Sequence, residues 1–517
     1  MTQTTGRGPE RFGSITAGDA RVAAPPARRT DLLARLRRPG YAELLIAVLS
    51  AALFSWRVGR PSPWFDEAIT RDITSRSASE IVDLATHVDL VHTTYYLLVH
   101  AVLGTSSSIT PIRLVSVVAA VLTAVLLVQL GRELDSARVG VLAGLMWTVA
   151  PLVSRYAQEA RPYAMVALAA TAATLALVRV CRRPWLPGRW VLYAVSLIAL
   201  GLLNVLALLL VVVHLTYVLA TSAGAVRRRW ALAVGGALAT LSPLLIASAG
   251  QSEQVSWLPR PNLHQLTGFL LAEYGIGFGI LAVLVLALAG LGRGTHSPAL
   301  ALGLAWALLP PVILWTVSQV HPLFDWRYVF FTVPGGALAL ASLATLIRAR
   351  WIVALLLVLA IGGAHMQDVY RYRAAGHAED LRGAAEAVDQ GSQPGDAVLF
   401  LPESRRVVEQ AYPEDFRGVD DVSLARPAQE SATLLGEEIS ADELAAALKG
   451  RTRVWLVTGP ARYGEVSSPA DLEKERLLYN RFRLIGVTFV RRYEVRLYER
   501  GRAAATIPAA ATASASS

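Results

Sequence analysis

The chain has 517 residues, 54% of them hydrophobic and 17% charged, with a formal net charge of +10 and a mean hydropathy of +0.44. That balance excludes an ordinary soluble protein, and the length exceeds one simple domain. The positive charge lies in loops between apolar segments, so it reports membrane orientation and gives no reason to expect a nucleic-acid partner.

Residues 1–40, rich in Gly, Pro, Ala, Thr and Arg and lacking an early apolar core, read as a disordered basic cytoplasmic tail and not as a cleavable signal peptide. From Tyr41 to Met366 apolar segments recur at the length a bilayer-spanning helix needs, roughly 20 residues. Spans are predicted at 41–58, 110–131, 139–154, 162–180, 190–203, 205–221, 231–249, 276–292, 299–318, 328–347 and 351–366, about eleven crossings. The apolar run from Trp190 to Ala220 is too long for a single helix and must turn near Asn204. Arg35, Arg37 and Arg38 precede the first span, Arg132 and Arg138 follow the second, and Arg179, Arg182 and Arg183 follow the fourth. Arg227 to Arg229, Arg293, Arg348 and Arg350 continue the alternation, which assigns these loops and the N-terminus to the cytoplasm. The first loop (59–94), the segments 155–161, 251–265 and 319–328, and everything beyond Met366 then lie outside.

From about His377 to Arg500 the composition becomes that of a soluble protein. Strands are predicted at 397–401 and 453–457, helices at 378–390 and 442–449, and a terminal hairpin within 484–498. The expected fold class is therefore a polytopic α-helical membrane domain, 41–366, followed by an extracytoplasmic α/β domain, 377–500, and a disordered tail, 501–517. The lone Cys181 can form no internal disulfide, and no His/Cys cluster has zinc spacing.

Three outer segments carry chemistry. The first loop holds Asp66, Glu67, Asp72, Glu80, Asp83, His87, Asp89 and His92, with Trp64 and Phe65 as apolar cover. A carboxylate partly desolvated at a membrane surface can take a proton from a hydroxyl; the alternative is that Asp66 or Glu67 merely favours the first turn of an interfacial helix. The second segment, Arg155-Tyr156-Ala157-Gln158-Glu159-Ala160-Arg161-Pro162-Tyr163, places two arginines against the orientation rule. Arginine pairs bidentately with phosphate, whereas an i,i+4 pair of Arg155 with Glu159 would be only structural. The third, Asp325-Trp326-Arg327-Tyr328, offers a further phosphate ligand or an interfacial belt.

Together these motifs resemble the GT-C glycosyltransferases. The acidic pair, Asp89 followed by Tyr95-Tyr96-Leu97-Leu98, the Tyr-Ala-Gln-Glu-Ala-Arg-x-Tyr segment and Arg327-Tyr328 are similar to the branch of protein O-mannosyltransferases and aminoarabinose lipid A transferases. Among these the chain looks like the actinobacterial mannosyltransferase-like members, over roughly residues 56–382. The resemblance implies an inverting transfer of a sugar, mannose in the first reading and arabinose in the alternative, from a polyprenyl-phosphate donor to a hydroxyl of a glycan, glycolipid or protein. Asp66 matches the base and Glu67 its supporting neighbour, the pair assigned as catalytic. Arg155, Arg161 and Arg327 match positions that hold lipid phosphate or line the cavity, and Asp89, His92, Tyr156, Glu159, Tyr163 and Tyr328 are assigned to substrate binding beside them. The sequence departs from the pattern after Asp89, reading Leu90-Val91-His92-Thr93-Thr94 where relatives carry His-Pro-Pro.

Polyprenyl phosphate leaves readily, so neither a nucleotide-binding fold nor a cofactor is expected; a divalent cation on the acidic loop is the alternative. A transporter of lipid-linked sugar would place ionisable groups near helix middles, and these sit at helix ends. A receptor built on the C-terminal domain would leave Asp66 dispensable.

Overall fold

A computed structural model describes residues 40–105, 108–251, 258–272, 297–346, 348–372, 379–459 and 468–501. The predicted span at 276–292, residues 1–39 of the N-terminal tail and the C-terminal tail beyond Gly501 lie outside the described residues. Residues Glu43–Ser517 form one compact unit, so the apolar helices and the C-terminal sheet belong to the same body.

Five described helices are long and apolar enough to cross a bilayer: Ile109–Leu134, Tyr163–Arg182, Gly224–Gly250, Pro298–Val317 and Trp326–Ala344. A bent pair, Ala137–Val149 and Pro151–Ala157, angled by 68°, makes a sixth if its two helices are one span. The bend has a local cause: Pro151 has no N–H to donate, and Ala150 before it is forced into an extended conformation. Tyr41–Ser55, Leu90–Leu103, Pro187–Leu203 and Val205–Thr221 are shorter apolar helices, and Ala349–Tyr370 covers the last predicted span. The expected count of eleven crossings is thus not reached among the described residues. The predicted break at Asn204 is present. Its side chain accepts from the N–H groups of Leu206 and Ala207 and starts a new helical segment.

Large apolar side chains such as Leu44, Val48, Leu192, Leu232, Ile246 and Ile361 point outward on these helices, as a lipid-facing surface requires. Between helices, small residues permit close contact. A Cβ on Gly140 would lie 2.2 Å from the Val128 carbonyl oxygen, so Ile109–Leu134 and Ala137–Val149 touch backbone to backbone there.

The first loop is itself largely helical. Phe65–Ser75 buries Ala68, Ile69 and Ile73 on one face, and Ala78–His87 begins at a Ser77/Glu80 capping box. Beyond the membrane helices, β1 (Asp396–Leu401), β2 (Val419–Asp421), β5 (Arg453–Thr458), β6 (Phe482–Val490) and β7 (Tyr493–Arg500) form a sheet of order β2-β1-β5-β7-β6; β3 (Leu424–Arg426) and β4 (Glu437–Glu438) pair separately. β1 runs parallel to β2 and β5 and is buried along its whole length, which explains its unbroken apolar run. β7 is antiparallel to β5 and β6, the β6/β7 pair being the predicted hairpin.

This C-terminal region rests on the first loop. The Phe65 N–H donates to Glu379 Oε2 at 3.1 Å, the Arg382 N–H to Ser62 Oγ at 3.0 Å, and Arg76 Nη2 to the Thr433 carbonyl at 3.0 Å. The sheet domain and the acidic loop therefore occupy the same end of the molecule.

Candidate active site

The adjacent carboxylates at the start of the Phe65–Ser75 helix have opposite surroundings. Successive helical residues are rotated by about 100°, so Asp66 and Glu67 cannot face the same space. Glu67 points into the bundle and is fully buried. Arg113 Nε and Nη2 hold its two oxygens at 2.8 and 2.6 Å, and the Ala160 N–H donates to Oε1 at 2.8 Å. Arg113 is saturated in turn, donating to the Val58 and Pro61 carbonyls. Glu67 thus ties the loop helix to the Ile109–Leu134 helix and to the segment before Arg161. Grouped with Asp66 as catalytic in the sequence reading, it stands structurally as the supporting neighbour, since its oxygens are occupied by protein donors.

Asp66 remains partly open, its side chain 22% exposed. Its Oδ2 lies 3.0 Å from Arg327 Nη1 and 3.8 Å from Arg161 Nη2. The setting is that of a carboxylate between guanidiniums, unlike the lone desolvated acid that the sequence suggested. Arg327 also pairs with Asp325 at 3.2 Å and lies over the rings of Trp64 and Tyr328.

Arg161 links Asp66 to a second group. Its Nη1 donates to Thr70 Oγ1 at 3.2 Å and to the Tyr96 hydroxyl at 3.1 Å, while Nη2 faces His92 Nε2 at 3.2 Å. His92 Nδ1 and the Tyr96 hydroxyl both meet Asp89, at 2.5 Å each. With Nδ1–H given to Asp89, His92 presents Nε2 as the acceptor that Arg161 requires. Asp89 takes a left-handed conformation, φ 58°, which turns the chain from the Ala78–His87 helix toward Arg161.

Behind these groups Tyr156 stacks edge-on with Tyr163, and its ring lies 4.6 Å from that of Phe330. Arg155 stands apart from Asp66 and lies over Tyr156 and Tyr370. Its Nε and Glu159 Oε2 are both buried without a hydrogen-bond partner, so these atoms do not make the structural pair weighed from their spacing. Burial pushes the Glu159 carboxyl up to about 7. Arg161 Nε and Trp64 Nε1 are likewise buried and unpartnered. Buried polar atoms are normally satisfied, and these four atoms, within or beside the second and first outer segments, are not.

Asp66, Asp89, His92, Arg161 and Arg327 are therefore joined in one network; Tyr156, Glu159, Tyr163 and Tyr328 border it. Arg113 and Glu379 were missed. Arg113 had a signal, being the only arginine within the apolar 110–131 span, whereas Glu379 lies 314 residues from its partner and had none. Among the described residues, no group of three or more His, Cys, Asp or Glu could hold a metal ion.

Residues 93–247 match the model of the dolichyl-phosphate-mannose-protein mannosyltransferase family. That segment includes Arg155 to Tyr163 but neither Asp66 nor Arg327. Among solved structures, the chain is similar to ArnT from Cupriavidus metallidurans in the apo state, with TM-score 0.60 and 13% identity over 88% of this chain and 97% of that one. It is similar also to the same protein bound to undecaprenyl phosphate, with TM-score 0.54 and 12% identity over the same shares. No curated protein sequence matches it. With a matching family segment at residues 93–247 and a common architecture over most of its length, the chain has the GT-C fold.

Proposed function

We propose that the protein is an inverting membrane glycosyltransferase that moves a sugar, mannose in the preferred reading, from a polyprenyl-phosphate donor to an acceptor hydroxyl on the outer face of the membrane. The observation carrying this reading is Asp66 Oδ2 held 3.0 Å from Arg327 beside Arg161, at a partly open helix start. Similarity to a structure bound to undecaprenyl phosphate and the mannosyltransferase family segment support the donor class.

In the proposed reaction the acceptor oxygen attacks the anomeric carbon while its proton passes to the Asp66 carboxylate. The bond from that carbon to the phosphate oxygen breaks, and its electron pair leaves with polyprenyl phosphate. Arg161 and Arg327 serve a dual purpose: they orient Asp66 before reaction, and they stabilise the charge that grows on the departing phosphate. A single displacement with one base inverts the sugar. Glu67 and Arg113 hold the helix that presents the base, and Asp89, through His92 and Tyr96, holds Arg161. No metal is required by this scheme, and chelator in the assay is expected to leave the transfer rate unchanged; loss of transfer restored by a divalent cation would reject that part.

The test is transfer from radiolabelled polyprenyl-phosphate mannose, with the arabinose donor in parallel, in membranes containing wild type, Asp66→Asn or Arg161→Ala. Loss of a general base costs ~10²–10⁴-fold in rate, so Asp66→Asn is expected to lose nearly all transfer while its melting temperature stays near that of wild type. Undiminished transfer by Asp66→Asn would end the mechanism. The labelled fraction, protein, lipid or polysaccharide, identifies the acceptor, and the labelled face of sealed vesicles tests the assigned orientation.

A further inference from the structure

A cavity of about 290 Å³ lies where the loop helix Phe65–Ser75 meets the C-terminal domain. It is separate from the network around Asp66. Its lining on the helix side includes Asp72 and Ser75, six and nine residues beyond Asp66, which places them roughly 9 to 14 Å along the axis and rotated to its far side. The opposite wall comes from the Val407–Ala411 helix and the segment following β3.

The chemistry of this wall points to a neutral, hydroxyl-rich ligand. Its charged groups other than Glu409 are engaged within the protein. Arg406 donates to Asp421 at 2.6 Å and to Glu438 at 2.8 Å, Arg71 donates to the Gln410 carbonyl, and Asp72 pairs with Arg76 at 2.6 Å. What is left to the cavity is amide, hydroxyl and the Glu409 carboxyl, which burial pushes up to about 7, and all three are groups that bond ligand hydroxyls. Gln410 donates its Nε2 to the Leu434 carbonyl at 2.8 Å, yet its Oε1 is buried and has no partner. Leaving such an acceptor unsatisfied costs about 1–3 kcal/mol, which a ligand hydroxyl would relieve. Ser75, whose hydroxyl donates to the Asp72 carbonyl at 2.7 Å and can still accept, and exposed Gln429, whose Nε2 reaches Asp72 Oδ1 only at 3.5 Å, add hydroxyl and amide groups, and Pro413, Leu424 and Pro427 supply apolar surface against which a sugar ring can lie. The volume is at the small end of ligand sites, ~300–1,000 Å³, which suits a sugar unit and is too small for a polyprenyl chain.

We propose that this cavity binds a sugar unit of an extended carbohydrate acceptor, remote from the hydroxyl that reacts at Asp66. The inference rests on the glycosyltransferase reading for the word acceptor, though not for the carbohydrate. It gives the C-terminal domain a function: the domain and the helix that carries the base would together measure the acceptor's length.

Calorimetry with the full-length protein in lipid nanodiscs tests it, using α-linked mannose and arabinose oligomers of one to six units as probes. Gln410→Leu removes the orphaned acceptor and leaves the backbone carbonyl that Arg71 uses; Gln429→Ala, at an exposed position, guards against misfolding of the first variant. One of the hexamers is expected to bind wild type about tenfold more tightly than either variant, the loss of a hydrogen bond or two, with the monosaccharides weak throughout. Equal binding by wild type and both variants, or no binding of either hexamer to wild type, overturns the cavity assignment. Because transfer is measured separately, the two readings fail independently. Hexamer binding lost in Gln410→Leu alongside full transfer by Asp66→Asn would keep the cavity and reject the mechanism. Transfer that depends on Asp66 alongside binding indifferent to Gln410 would do the reverse.

Discussion

Arg406 in the C-terminal domain and Arg161 beside Asp66, both buried, are treated differently by their surroundings. Arg406 uses each end of its guanidinium: Nε on Asp421, Nη1 on the Leu435 carbonyl, and Nη2 on Ser423 Oγ and Glu438. In the 155–161 segment, Arg161 shares Nη1 between two hydroxyls and leaves Nε buried without a partner, and Arg155 Nε and Glu159 Oε2 are in the same condition. A saturated arginine is a fastening, because nothing remains for a ligand to bind. An unsaturated one carries a cost of burial that the fold does not recover by itself. The distinction divides even neighbouring residues, for Glu67 belongs with the fastenings and Asp66 with the site.

The division can be broken most directly at Arg113, the most saturated arginine near the loop. Removing one partner of a buried ion pair leaves the other charge uncompensated, at roughly 3–5 kcal/mol. Arg113→Ala is expected to lower the melting temperature sharply, measured by thermal denaturation in detergent, with transfer lost only as folded protein is lost. A stable Arg113→Ala protein that binds donor but cannot transfer would move Arg113, and with it Glu67, from the fastenings to the site.

Glu159 sharpens the same contrast through pH. Its carboxyl is raised to about 7 chiefly by burial, the neighbouring Arg155 acting in the opposite direction. A carboxyl with a raised folded-state value is neutral in the fold over a range where the unfolded chain is already ionised. Its contribution to stability is present below the ordinary glutamate value, near 4.3, and is lost as pH climbs to about 7; at roughly 1.4 kcal/mol per unit this is on the order of 4 kcal/mol. Glu159→Gln, neutral at every pH, is expected to flatten that part of the stability profile. An identical profile in the variant would show that Glu159 is paired after all and belongs with the fastenings.

The sequence exposes those features whose cause is local. Hydrophobic length locates Ile109–Leu134 and Tyr163–Arg182, the asparagine at 204 marks a real break, and the apolar runs at 397–401 and 453–457 become β1 and β5, whereas the bend at Pro151 falls inside the span predicted at 139–154. Arg161 and Arg327 announce themselves as charges on the wrong side of an orientation rule. Features that depend on distant partners are hidden. Nothing in the local sequence says that Arg113 saturates Glu67 while leaving Asp66 to Arg327, because helix rotation and the fold of residues 58–61 decide it. The first loop reads as dense polarity, yet Ala68, Ile69 and Ile73 are buried in the fold, because the Phe65–Ser75 helix packs both on the helices Thr93–Leu103 and Ile109–Leu134 and on the Val407–Ala411 helix.

The smallest expected effect concerns that surface. Phe65 opens the loop helix, Trp64 before it supplies no side-chain cap, and the free N–H of Phe65 is taken by Glu379 Oε2 from the far end of the chain. The first-turn N–H groups of a helix are orphans that a carboxylate stabilises by hydrogen bond and dipole together, typically by ~1 kcal/mol. Glu379→Ala is therefore expected to cost about that much, a shift of a few degrees at most in melting temperature. Its effect on transfer should be larger than its effect on stability, because the bond is one residue from Asp66 and a small misplacement of a reacting group is costly. The lost tether should appear in kcat with the donor KM unchanged, since Arg161 and Arg327 are held by other elements, and Glu379→Gln, which keeps an acceptor oxygen, should restore most of it. If both variants instead raise the donor KM in step with lost stability, Glu379 is one more fastening and the C-terminal domain does not position the base.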